Sequence, residues 1–216
     1  MIISKQKDFS KIQDMLKDAN KVFLVGCTEC ASMCYSGGEK EVNEMKIRLE
    51  EKGKIIAGEM VVEAVCNILN TRKELRHRKD NFSQADAVLV LCCGAGVQSV
   101  VESSDIPVYP GCDTLFLGNI NRIGRFYEHC SLCGECLLDK TGGICPVTNC
   151  AKGLLNGPCG GMNKGKCEIN PLQDCAWVLI YNRMEKLGKI KDIKEILPPR
   201  NYSRNTKPSS LILEKK

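Results

Sequence analysis

Cysteines are the residues of this chain whose type and spacing point most directly to chemistry. Residues 129–175, HCSLCGECLLDKTGGICPVTNCAKGLLNGPCGGMNKGKCEINPLQDC, hold eight of the chain's 15 cysteines. Cys130, Cys133 and Cys136 follow a C-x2-C-x2-C pattern that presents three thiolates from one tight loop, the spacing that suits a 4Fe–4S cubane. A cubane needs four soft ligands on one point, and Cys145, followed by Pro146, keeps the order of such a run. Eight residues separate Cys136 from Cys145 where a ferredoxin has three, so the fourth ligand stays open among Cys145, Cys150, Cys159 and Cys167. Cys150, Cys159, Cys167 and Cys175 together are enough for a second metal site. Pairs such as Cys130 and Cys133 also suit tetrahedral zinc, but three thiolates at two-residue gaps before a Cys-Pro favour iron–sulfur.

A second group of thiols sits in the first half of the chain, and the elements around it explain why. Residues 5–20 place Phe9, Ile12 and Leu16 on one helical face, and KVFLVG over residues 21–26 reads as a buried strand. GCTECASMC then brings Cys27, Cys30 and Cys34 to the point where a strand hands over to a helix carrying Val42, Met45 and Leu49. KIIAGEM reads as the next strand, and Val61, Val65, Ile68 and Leu69 predict a second helix with Cys66 inside it. ADAVLVLCCGAGVQ reads as strand, Cys92-Cys93-Gly turn and helix starting near Gly96, and IPVYPGCDT adds a short strand before Cys112.

Alternating strands and helices predict an α/β domain with an open parallel sheet, Rossmann-like or flavodoxin-like. Ligands bind such sheets beyond the carboxyl ends of the strands, so Cys27, Cys30, Cys34, Cys92, Cys93 and Cys112 are expected along one edge. The best set for a cluster there is Cys27, Cys30, Cys34 and Cys93, with Cys92 and Cys112 as substitutes. No glycine fingerprint of a nucleotide site occupies the first turn. LFLGNINRIGRFYE is expected to be a helix or linker, leading to an irregular cysteine-rich lobe held by its ligands. AWVLIYNRMEKLGKI predicts an amphipathic helix ending near Gly188. Three parts are expected: an α/β domain over 1–120, an iron–sulfur lobe over 121–190 and a basic, proline-containing tail over 191–216.

Composition narrows the function classes. No apolar leader opens the chain and no run of about 18 apolar residues is present, so a cytoplasmic protein with reduced thiols and no membrane span is expected. The net charge of +5 is concentrated in residues 183–216, where ten Lys or Arg face four Asp or Glu. Without interleaved aromatics this reads as a solvated or partner-docking surface, and no nucleic-acid role is expected. The chain has two histidines, His77 in a basic helix end and His129 beside the cysteine run, and neither pairs with a nucleophile. No catalytic residue is expected.

The segments GCTECASMCYSGGEKEV, VLCCGAGVQ, PGCDTLFLG, HCSLCGECLLDKTGGICPV and LLNGPCGGMNKGKCE resemble the small cysteine-rich subunit of bacterial methylenetetrahydrofolate reductase, over about residues 20–190. The resemblance implies a non-catalytic iron–sulfur subunit of an oxidoreductase complex in anaerobes that use the acetyl-CoA pathway. It implies two or three 4Fe–4S clusters, with zinc as an option at one site and a flavin only in the partner. The partners it implies are the flavin-containing catalytic subunit and a ferredoxin or another electron-donating subunit. The competing expectation is a zinc-stabilised structural or regulatory subunit with no redox role.

Overall fold

The computed structural model describes residues 1–213, which divide into two compact units, Met1–Phe126 and the described residues from Tyr127 onward. The last three residues of the expected basic tail lie outside the described residues.

The first unit is built on two sheets. Strand β1 (Ile2–Gln6) and helix α1 (Phe9–Met15) precede β2 (Lys21–Cys27), which is buried from Val22 onward. After β2 come a single helical turn, α2 (Cys30–Met33), and α3 (Glu39–Glu50), whose first turn is held by the Glu41 carboxylate accepting from the Gly38 N–H at 2.9 Å. Next are β3 (Ile55–Val62), α4 (Ile68–His77), the short α5 (Lys79–Phe82), β4 (Ala87–Leu91), α6 (Gly94–Val101) and β5 (Val108–Pro110). These form a four-stranded parallel sheet of order β3-β2-β4-β5, the parallel α/β sheet that the alternating pattern predicts.

Strand alternation sends side chains to two separate cores. Phe23, Val25, Cys27, Val88, Val90 and Cys92 face one layer with Leu75 and Val100 of the helices. Val22, Leu24, Ala87, Leu89 and Leu91 face the other, against Ile12, Val42, Met45 and Leu49. Helices therefore cover both faces, which is why β2 and β4 read as continuous apolar runs. Each fully buried aliphatic side chain contributes about 1.5–3 kcal/mol, so a dozen of them make this sheet self-supporting.

Two local expectations are corrected. Val61 and Val62 belong to β3, not to a helix; they pair with Gly26 and Cys27 of β2, and the helix starts only at Ile68, capped by the Asn67 side chain accepting from the Asn70 N–H. Sheet pairing outweighs the weak helical spacing of that stretch, and Cys66 falls in the turn between. LFLGNINRIGRFYE is neither helix nor linker. It forms most of a hairpin, β6 (Cys112–Arg122) and β7 (Arg125–Cys130), turning at Gly124 with φ +75°. β6 pairs antiparallel with β1, Ile3 opposite Phe116, in a small sheet of order β1-β6-β7 whose last strand carries the chain out of the first unit.

The second unit has little regular structure. Helix α7 (Pro146–Asn149) is one turn long, and α8 (Ala176–Lys186) is the amphipathic helix expected before Gly188, which leaves it with φ +68°. Its buried apolar core is Trp177, Ile180 and Met184 with Cys175, joined by Ile144 and Ile193. Beyond it lie two 3-10 turns, Ile190–Lys194 and Tyr202–Asn205, and an exposed end at Leu211, Ile212 and Leu213. Among the described residues no helix is long and apolar enough to cross a membrane.

Candidate metal centres

In the first unit β3, β2 and β4 lie side by side and run the same way, so the loops after them open on one sheet edge. Four cysteines come from these three loops. Cys66 lies in the turn after β3, Cys27 ends β2, Cys30 opens α2 and Cys93 is the residue preceding α6 after β4. The turn after β2 is shaped by the close packing of Gly37, where an added Cβ would lie 1.6 Å from the Leu91 carbonyl oxygen, and the Gly37 carbonyl accepts from the Cys27 N–H at 2.8 Å. Only glycine lets that loop fold back against the end of β4.

The electrostatics tie these thiols together. Cys66 is exposed, and its thiol is pushed up first by the desolvation of its turn and then by the negative sulfurs of Cys93, Cys27 and Cys30. Cys93 is drawn down to about 5, chiefly by its interaction with the Cys92 side chain; burial opposes this, and the Gly96 and Ala95 N–H groups at the start of α6 add to it. Cys92 is correspondingly held as a thiol far above the ordinary range by that interaction and by burial.

Cys34, Cys92 and Cys112 have hydrogen-bonded places of their own. Cys34 donates to the Ile2 carbonyl at 3.7 Å and is raised by burial. Cys112 is buried, donates to the Ser36 carbonyl at 3.3 Å, and is pushed up to about 12 by desolvation. Cys92 donates to the Cys93 carbonyl at 3.4 Å in the core. The loops after β2, β3 and β4 thus bring Cys27, Cys30 and Cys93 of the expected set, together with Cys66, to one edge of the sheet. Sequence reading passes over Cys66 because it was placed inside a helix; the signal available was its position four residues after a parallel strand.

In the second unit the cysteines fall into two groups, each lining a cavity. The first cavity, about 440 Å³, is lined by Cys130, Cys133, Cys136 and Cys145 with the apolar side chains of Leu132, Leu137, Leu138 and Val147. Its loop carries Leu132 at φ +55° and Gly134 at φ +77°, left-handed residues that turn the backbone inward, and the Leu132 N–H donates to the Cys130 sulfur at 3.4 Å. Cys145 precedes α7, and its carbonyl accepts from the Asn149 side-chain amide at 3.0 Å.

Arg200 stands behind this loop. It donates to the Cys133 carbonyl at 3.0 Å, and its buried Nε has no partner among the described residues. Burial alone would raise the Cys133 thiol, but the Glu135 amide, the Arg200 charge and the Ser131 hydroxyl outweigh it and set it below the ordinary value. A half-buried cation with an unused, buried donor beside these thiols suits an anionic group in that cavity.

Residues 109–203 match the family model described as methylene-tetrahydrofolate reductase C terminal. No curated protein and no solved structure matches the chain significantly. The matched segment takes in Cys112, all eight cysteines of the second unit and Arg200, and it leaves Cys27, Cys30, Cys34, Cys66, Cys92 and Cys93 outside.

The other four cysteines of the second unit, Cys150, Cys159, Cys167 and Cys175, line a cavity of about 20 Å³. The Cys167 N–H donates to the Gln173 carbonyl at 2.9 Å and the Cys175 N–H to the Gly165 carbonyl at 2.8 Å, so two chain segments are laced side by side. The Asn170 and Ile169 N–H groups point at the Cys167 sulfur and lower its thiol. Among the described residues no three His, Cys, Asp or Glu side chains stand together in ligating geometry. Cysteine has one side-chain torsion, so a cavity lined by four of them fixes the backbone positions from which the sulfurs can turn inward. By the chemistry of its donors, the larger cavity fits an iron–sulfur cluster: four soft ligands, an apolar wall and a half-buried cation.

Proposed function

We propose that this chain is the iron–sulfur electron-transfer subunit of a methylenetetrahydrofolate reductase complex, passing electrons to or from a flavin-bearing catalytic subunit in the acetyl-CoA pathway. The observation that carries the reading is the cavity lined by Cys130, Cys133, Cys136 and Cys145 inside the segment that matches the reductase C-terminal family. These four thiolates would hold a 4Fe–4S cluster, which when bound supplies one-electron transfer.

The chain's own residues set the conditions for that transfer. Leu132, Leu137, Leu138 and Val147 limit water at the thiolates, and Arg200 offsets their negative charge. Cys27, Cys30, Cys66 and Cys93 offer a second station at the sheet edge of the first unit. Reducing a methylene to a methyl group takes two electrons and two protons; the partner's flavin and folate site would handle the protons, and this chain only electrons.

The test is anaerobic purification of the full chain. The reading expects a brown protein with iron and acid-labile sulfide in equal amounts, an EPR signal on reduction, and partial loss of visible absorbance in Cys133→Ala. A colourless protein with zinc and no sulfide would sink it.

A further inference from the structure

We infer that Cys150, Cys159, Cys167 and Cys175 form a separate mononuclear site that holds one tetrahedral divalent ion of the zinc class, distinct from any cluster on Cys130, Cys133, Cys136 and Cys145. The two sets of cysteines do not mix: each cavity is lined by one set and by none of the other. Size separates what they can take. A space of about 20 Å³ is little more than the volume that admits a single water, whereas a cubane has eight core atoms. Four cysteines lining one atom-sized space match the ligand set of a closed structural zinc site, which leaves no position for substrate.

The backbone is arranged for this. Cys167 and Cys175 are brought level by hydrogen bonds to the Gln173 and Gly165 carbonyls, and the turn that leads into Cys167 is closed by the reciprocal pair between Asn163 and Lys166 at 3.1 and 2.9 Å. Cys150 ends α7 and is braced through Asn149, whose carbonyl accepts from the Gln173 side chain at 2.8 Å. Cys159 is the exposed member, with its sulfur 3.8 Å from a Glu168 oxygen. Four loop segments with little apolar core between them converge here, and one ion would join all four. Thiols lose their protons on binding, so occupancy falls at acid pH.

The experiment measures zinc, iron and acid-labile sulfide in the full chain purified anaerobically. One zinc per chain is expected, lost in Cys159→Ser and Cys167→Ser with iron and sulfide unchanged, and retained in Cys159→His. Should the serine variants fail to fold, growth of the wild type on cobalt should give the d–d and charge-transfer bands of a tetrahedral tetrathiolate. Wild type without zinc, or Cys159→Ser losing iron and sulfide together, would overturn the inference. The cluster reading fails separately, through Cys133→Ala: unchanged iron and sulfide in that variant would count against the cluster and leave the zinc count standing.

Discussion

The two units place cysteines by opposite means. In the first, a parallel sheet packed on both faces exists without them, and thiols are hung on the loops at its edge; Cys92 and Cys112 even serve as core. In the second, the apolar core is three side chains of α8 and their few neighbours, and the cysteines line the only two cavities described there that gather four of them. One unit carries its cysteines on a packed sheet; in the other they line cavities between loops.

Metal removal should break the two apart most visibly. Chelation of the full chain under reducing conditions is expected to open residues 127–213 to protease and hydrogen exchange while β2 and β4 stay protected, since structural metal is worth about 10–16 kcal/mol to a small site. Equal protection of both units afterwards would erase the contrast.

Thiol titration sharpens it within the first unit. In the metal-free chain the thiolate of Cys93 should be alkylated with a half-maximal rate near pH 5, while Cys112 stays unmodified until strongly alkaline pH, near 12. The thiolate is the nucleophile, so each rate rises as pH passes upward through its own pKa. For stability the sign runs the same way at Cys93: its depressed value contributes above the ordinary thiol range, and the contribution is lost as pH falls through about 5. Mass spectrometry of peptides labelled across pH would check both.

Smaller effects follow from single side chains. Leu89→Ala, in the fully buried layer, should cost about 2–5 kcal/mol in denaturant unfolding of the first unit and leave metal content unchanged. Arg200→Gln should lower the midpoint potential of the cluster proposed on Cys130, Cys133, Cys136 and Cys145 by about 40 mV, taking a charge interaction of about 1 kcal/mol for a one-electron couple. An unshifted potential would remove Arg200 from the electrostatics of Cys133.

Much of this was legible in the residues. β2 and β4 announce themselves as apolar runs bounded by Cys-containing turns, and α8 by its periodicity, because each is set by burial along a single segment. The hairpin of β6 and β7 was hidden because its partner, β1, lies over a hundred residues away, and no local pattern encodes that pairing. Cys66 was hidden for the same reason: the pairing of Val61 and Val62 with β2 decides where the strand stops and the turn begins. The C-x2-C-x2-C run was plain, but the division of eight cysteines into two sets rests on how loops close, which spacing does not reveal.

Trp177 has a consequence of another kind. It is the chain's one tryptophan, 7% exposed, with its indole N–H donating to the Leu154 carbonyl at 3.1 Å and its ring on the wall of the smaller cavity. Indole emission from this protein therefore reports on one lobe, with no background from the other. Zinc beside it would not absorb that emission and cobalt in its place would, so the difference between zinc- and cobalt-grown protein in a cuvette follows a single site in an assembly of many thiols.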